Sequence, residues 1–172
     1  MIRTARLVLR PFSDGDAGWV AREIAVPEVQ RWLHSVPHPY AVADATRYIA
    51  EYSGAPFYKV IERDGAALGA VTIDPDDGPD LWPELGFWLR RSAWGQGVMT
   101  EAAAALIGHY FTTTQGPGLR GGFVDGNIAS TRVQDKLGFV LTGATDQAHS
   151  HFLNAPVRVV RAELTREAWQ DL

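Results

Sequence analysis

The sequence predicts one α/β (α+β) domain over residues 1–172, a central mixed, mostly antiparallel sheet flanked by helices. Three observations carry this reading. Residues 57–62 and 68–73 are strand-like apolar runs separated by Arg63-Asp64-Gly65, a favoured hairpin turn. They lead into an alternation of strand and helix patterns, so an antiparallel group is followed by crossover connections and the sheet is mixed. Finally, 172 residues with 46% hydrophobic and 21% charged content match one globular unit rather than a disordered chain.

Taken in order, Leu7-Val8-Leu9-Arg10-Pro11 is a short strand stopped by proline. Ser13-Asp14-Gly15-Asp16 follows as a helix N-cap with an acidic first turn. Helical spacing continues through Trp19, Val20 and Ile24, then Val29, Trp32 and Leu33, until Pro37-His38-Pro39 breaks it. Residues 41–52 read as another helix with Ala45, Ile49 and Tyr52 on one side. After the hairpin comes an acidic loop from Asp74, a strand at 84–89 and a long alanine-rich helix over 95–111. A strand at 119–124, a helix at 127–137 stopped by Gly138, and strands at 139–142 and 157–164 complete the sheet. Thr165 caps a last helical turn around Trp169.

Sixteen Lys and Arg against twenty Asp and Glu leave a net charge of −4, the wrong sign for a domain built on a nucleic-acid polyanion. The absence of Cys excludes thiol nucleophiles, Cys-ligated zinc and disulfide scaffolds together. No apolar run approaches the roughly 18 residues that would span a bilayer, and no signal core follows Met1, so the expected setting is cytoplasmic, with neither membrane nor nucleic acid as partner.

The stretch Trp94-Gly95-Gln96-Gly97-Val98-Met99-Thr100 joins the 84–89 strand to the long helix. Glycine lets backbone approach a ligand, and the free N–H groups of a helix start present about half a positive charge to an anion. The stretch reads either as a phosphate cradle, with Arg90 and Arg91 adding charge beside it, or as an ordinary tight connection. It holds no lysine, which excludes a nucleotide triphosphatase loop. The dinucleotide pattern Gly116-Pro117-Gly118-Leu119-Arg120-Gly121 lies between a helix and a strand, the reverse of the required context. Asn127, opening the next helix, is either a plain N-cap or a hydrogen-bonding partner for an amide-bearing ligand across the strand ends.

Arg6-Leu7-Val8-Leu9-Arg10-Pro11, Glu84-Leu85-Gly86-Phe87-Trp88-Leu89, Trp94-Gly95-Gln96-Gly97 with Thr100-Glu101-Ala102, Asn127-Ile128-Ala129-Ser130 and Lys136-Leu137-Gly138-Phe139 occur in this order. Together they resemble the GNAT superfamily of acyl-CoA-dependent N-acetyltransferases, in its branch of RimJ/RimL-like ribosomal-protein N-terminal acetyltransferases. The resemblance implies the GNAT fold, a sheet splayed between its two central parallel strands. It implies acetyl-CoA as acetyl donor and an amine as acceptor. The CoA pyrophosphate would rest on the backbone amides of Gln96, Gly97, Val98, Met99 and Thr100, and the pantetheine arm would pair with the strand at Phe87, Trp88 and Leu89. Asn127 would bond the arm's polar groups. Trp94 and Met99 depart from the common loop pattern. Where many relatives carry a Tyr general acid this chain has Gln134, leaving Ser130 as proton donor. Dimers are common among relatives, and the sequence carries no local signal for one.

The chemistry expected is direct attack of an amine on a thioester. An α-amino group is roughly 10% neutral at pH 7 and a lysine well below about 0.1%, so an N-terminal amine needs only modest help from a base. Glu84 is either that base, directly or through water, or a solvated strand-end carboxylate. Main-chain N–H groups near Phe87 and Trp88 would polarise the carbonyl. His149-Ser150-His151 would put two imidazoles on one face of a strand, without an evident third ligand, and the acidic run fails as a calcium loop because Pro79 and Leu85 occupy its glycine and glutamate positions. Among Trp32, Tyr40, Trp82 and Trp88, some line an acceptor pocket while most fill core. The resemblance implies that acceptor choice resides in the helical N-terminal third and in a loop over 144–156. A non-catalytic acyl-CoA-binding module is the competing function class.

Overall fold

The structure is a computed structural model that describes residues 1–75 and 82–172. Its strands are β1 (Ile2–Arg3), β2 (Val8–Arg10), β3 (Tyr58–Arg63), β4 (Ala66–Asp74), β5 (Glu84–Leu89), β6 (Gly118–Val124), β7 (Val140–Ser150) and β8 (Ala155–Thr165). Its helices are α1 (Ala17–Ile24), α2 (Pro27–Gln30), α3 (Val42–Tyr52), α4 (Val98–Thr113), α5 (Ile128–Lys136) and α6 (Arg166–Gln170). The strands form one eight-stranded sheet in the order β1-β2-β3-β4-β5-β6-β8-β7. Every neighbouring pair is antiparallel except β5 and β6, which run parallel. The mixed, mostly antiparallel sheet read from the sequence is therefore what the chain forms.

Local chemistry accounts for the punctuation. Asp64 and Gly65 take φ +51° and +77°, the paired left-handed residues a two-residue hairpin needs. Gly138 ends α5 at φ +82°, and the Thr165 hydroxyl accepts from the Ala168 N–H at 3.1 Å to cap α6. Ser13 opens a single 3₁₀ turn rather than α1 itself. Its N–H and hydroxyl both donate to buried Asp16, which also takes both arms of the Arg10 guanidinium at 2.8 Å and the Trp19 indole N–H at 2.6 Å.

Three expectations change. The helical spacing at Val29, Trp32 and Leu33 yields only the one-turn α2, because the chain bends early onto Gln30, whose amide holds the Pro37 carbonyl and the His38 ring. The long helix starts at Val98 rather than residue 95, since Gly95 and Gly97 both sit at φ +73° and cannot join it. The segment 144–156, expected as a loop, is the β7–β8 hairpin with its turn at 151–154. β7 is an edge strand exposed along nearly all its length, so no core face imposes the alternation that would have announced it.

The sheet buries a core on each side. On one face α4 lays Ala102, Ala103, Leu106 and Ile107 against Leu85, Leu119 and Leu164. On the other, α1 and α3 cover Tyr58, Val60, Ala70 and half-buried Trp88. Because β-strand side chains alternate, Leu85, Phe87 and Leu89 belong to the α4 face, while Glu84, Gly86 and Trp88 belong to the face under α1 to α3. That alternation decides which side chains meet a ligand in the cleft.

Candidate active site

β5 and β6 pair only at Glu84↔Arg120 and Leu85↔Gly121, and beyond this the strands part. β5 stays paired with β4 along its whole length, from Asp74↔Glu84 to Gly69↔Leu89. The Arg90 N–H bonds the Leu68 carbonyl at 2.8 Å and the Arg120 N–H bonds the Pro83 carbonyl at 2.8 Å, which sets the phase of the strand. Even-numbered backbone groups, Trp88 included, turn to β4; those of Phe87 and Leu89 turn to the open cleft. The Leu89 carbonyl is taken by the Trp94 indole N–H at 2.9 Å, leaving the Phe87 N–H and C=O and the Leu89 N–H as an edge with no strand partner among the described residues. An extended chain with amide groups would satisfy such an edge by strand addition.

The cleft leads to the start of α4. Gly97 is its N-cap, and the first intrahelical bond is Glu101 N–H to the Gly97 carbonyl at 3.1 Å. The N–H groups of Val98, Met99 and Thr100 therefore point out of the helix end. The Val98 and Met99 side chains are buried in the α4 core, so Met99 serves packing while its amide faces outward. A Cβ at Gly95 would meet nothing within 4 Å, and one at Gly97 only the Arg6 guanidinium at 3.5 Å, so the turn is open to a ligand. Arg6 bonds the Gln96 carbonyl at 3.2 Å and pairs with Glu101 at 2.6 Å, while Arg63 bonds the Gln96 side chain at 2.9 Å. The cations at the cradle are thus Arg6 and Arg63. Arg91 instead pairs with Glu28 of α2, and Arg90, in phase with Trp88, lines a cleft of about 280 Å³ beside Trp19 and Arg22. Arg6 and Arg63 carry no motif signal, because only the β2 entry and the β3–β4 turn bring them to this loop.

At the other end of β5 the groups are charged. Glu84 receives Arg161 Nη1 on both carboxylate oxygens, at 3.0 and 3.1 Å, and Arg120 lies 3.9 Å away. Arg161 also reaches Asp146 of β7 at 2.5 Å. Gly122 makes room for this pair, since a Cβ there would lie 2.7 Å from Arg161 Nη1 and 3.1 Å from Glu84 Oε1. Asp74, directly across from Glu84, accepts from the Thr72 hydroxyl at 3.1 Å. Burial first, and the charge of Glu84 second, push the Asp74 carboxyl up to about 6. Half-buried His34 stands over Glu84 and Arg161; burial holds its imidazole below the ordinary value, with Glu84 opposing and Arg161 adding to the shift. The His34 carbonyl accepts from the His151 N–H at 3.2 Å, and the His38 ring packs edge-on against Phe152 at 5.1 Å, so the β7–β8 turn is tied to the segment after α2.

Asn127 caps α5, its side-chain oxygen accepting from the Ser130 N–H at 3.2 Å, which leaves its amide N–H groups for a ligand. Ser130 is 9% exposed at the first turn of α5. Gln134 is buried against β6 and bonds the Gly122 carbonyl at 3.2 Å. The His149 and His151 rings meet with centroids 5.5 Å apart, and among the described residues no three His, Cys, Asp or Glu side chains gather as a metal site. The acidic run read against a calcium loop includes residues 76–81, which lie outside the described residues.

An acetyltransferase (GNAT) domain family matches residues 6–140. The chain belongs to the GNAT acetyltransferase family. The solved GNAT acetyltransferase from Bacillus anthracis is similar with a TM-score of 0.83 at 18% identity, covering 96% of this chain and 98% of that one. RimJ from Mycobacterium smegmatis, solved in complex with CoA-disulfide, is similar at TM-score 0.78 and 22% identity, covering 94% and 82%. An acetyltransferase from Salmonella typhimurium that modifies the N-terminal serine of ribosomal protein L7/L12 gives 0.79 at 18%, covering 94% and 96%. These likenesses establish the GNAT fold. In sequence, the ribosomal-protein-serine acetyltransferase of Escherichia coli K12 is 32% identical over 98 residues, 55% of this chain. That match spans about half, 52%, of the relative's length.

The cleft and the helix start fit coenzyme A: one offers an unpaired strand edge, the other free backbone donors flanked by arginines. In a GNAT domain acetyl-CoA supplies an activated thioester. The described residues contain no helix long and apolar enough to cross a membrane.

Proposed function

We propose that this protein is an acetyl-CoA-dependent N-acetyltransferase that acetylates a primary amine by direct attack, the acceptor being a protein N-terminal amine or a small-molecule amine. The observation that supports it most is the continuity of the open β5 edge with the helix start at Gly97. In this reading the amides of Gln96, Gly97, Val98, Met99 and Thr100 hold the diphosphate, with Arg6 and Arg63 adding charge. Phe87 and Leu89 pair with the pantetheine arm, Trp88 bracing the strand from β4, and Asn127 donates to the arm. The Phe87 N–H polarises the acyl carbonyl, a donor fixed in advance where charge develops on oxygen. Glu84 is the carboxylate that meets the amine, directly or through water, and Ser130 protonates the departing thiolate. With a thiol pKa of about 8.5, that last task is light.

The Escherichia coli relative, named for acetylating ribosomal-protein serine, and the Salmonella typhimurium neighbour, which modifies an N-terminal serine, favour a protein N-terminus over a small molecule, and an acceptor of that kind agrees with a setting in the cytoplasm. The test measures thiol release from acetyl-CoA across N-terminal peptides, including serine-first ones, and small amines. Coenzyme binding by calorimetry without thiol release for any acceptor would leave the non-catalytic acyl-CoA-binding module as the function. A loss of tenfold or less in both Glu84→Ala and Ser130→Ala would remove their assigned roles.

A further inference from the structure

Two carboxylates face each other across β4 and β5, and they differ in what holds them. Asp74 and Glu84 are register partners, which sets their Cβ atoms about 5 Å apart on the face under α1 to α3. Both oxygens of Glu84 are engaged by Arg161 Nη1, which fixes the carboxylate in place. Among the described residues Asp74 accepts from the Thr72 hydroxyl and has no cation paired with it. The groups facing Asp74 are Glu84 across the ladder, Thr72 on its own strand and Tyr48 of α3, whose phenol is pushed up by burial and then by Asp74. Arg161, Arg120 and His34 stand one step away, against Glu84. Gly86 opens the approach: a Cβ there would lie 2.7 Å from Thr72 Oγ1 and 3.5 Å from Asp74 Oδ2.

We propose that Asp74 and Glu84 work as a pair on the acceptor amine, Glu84 fixing the ammonium from its seat on Arg161 and Asp74 taking up its proton, directly or through water. The inference deepens the acetyltransferase reading and rests on it. An ammonium gives one proton to the Asp74 carboxylate and becomes a neutral amine. Its lone pair forms the C–N bond to the acyl carbon while the C–S bond breaks and its electron pair leaves with sulfur. The Ser130 hydroxyl gives its proton to the thiolate and is refilled by the nitrogen's second proton, and Asp74 returns its own to water. An exposed aspartate near 3.9 is a poor base at neutral pH, whereas a carboxyl near 6 sits close to the optimum for proton transfer.

The experiment compares wild type, Asp74→Asn and Glu84→Gln. Carboxyl ¹³C NMR of the free protein reads Asp74 without any turnover, and kcat/KM against pH for a serine-first peptide with acetyl-CoA reads the base. A resonance titrating near 6 and missing in Asp74→Asn is expected. So is an acid limb of the pH profile that flattens in Asp74→Asn with at least a tenfold loss, and persists in Glu84→Gln. A limb unmoved in Asp74→Asn, or an Asp74 resonance titrating at an ordinary value of about 3.9, overturns the assignment while leaving the acetyltransferase reading intact. Wild type that binds coenzyme yet releases no thiol with any acceptor overturns both.

Discussion

Single atoms decide the acidic end of the cleft. Asp74 illustrates the trade between function and stability: a carboxyl raised to about 6 in the folded chain, against about 3.9 when unfolded, binds protons more tightly when folded. Stability from this group is present below the unfolded value and declines as pH rises toward 6. Asp74→Asn removes that cost, so it should unfold at higher urea than wild type at pH 7 to 8, with the difference shrinking toward pH 4; a variant less stable at pH 8 would contradict the burial argument. Gly122 is the reciprocal case. Gly122→Ala places a methyl against Arg161 and Glu84, long side chains that can shift, so folding should change by no more than about 1 kcal/mol while thiol release falls at least tenfold. Urea melts and the peptide assay read the two effects separately. Neither residue was legible as functional. Asp74 sits at the head of an acidic run that suggests only a solvated loop, and Gly122 matters through side chains on two other strands.

Among the elements, the turn into α4 shows how much a motif states without its surroundings. Gly97 holds φ +73° as N-cap, where any residue with a Cβ pays about 1–2 kcal/mol. Gly97→Ala should lower the melting temperature by about 2–8 °C and weaken coenzyme A by about tenfold in calorimetry, whereas Gly95→Ala, with open space around it, should cost strain but no contact. The pattern Trp94-Gly95-Gln96-Gly97 was readable because a tight turn needs its glycines in sequence. Its bracing by Arg6 and Arg63 was not, since those residues lie on distant segments. The continuation of β7 beyond the strand expected at 139–142 is hidden for a different reason: an exposed edge strand carries no hydrophobic period to read.

Across the whole molecule, the sheet is the device that joins the two ends of the proposed site. β5 pairs fully on one side and barely on the other, so in the proposed function one strand would present backbone to the coenzyme and side chains to the amine. A ligand that orders this cleft should stabilise the fold as a unit. At 100 times its dissociation constant, acetyl-CoA adds about 2.7 kcal/mol, which for a chain of this size is a rise of about 5–10 °C in melting temperature. A melting temperature unmoved by millimolar acetyl-CoA would contradict the cradle.

By itself the sequence determined the mixed sheet, the strand at 84–89, the glycine turn before α4 and the caps of α5 and α6. Each depends on hydrophobic period or on backbone geometry encoded within a few neighbouring residues. Only the tertiary structure decided that β5 and β6 part after two pairs, that Arg6 and Arg63 flank the cradle while Arg90 and Arg91 turn away, and that Asp74, Glu84, Arg161 and His34 share one end of the cleft. Those outcomes depend on strand register and on the field of charges from remote segments, which local order along a chain does not carry.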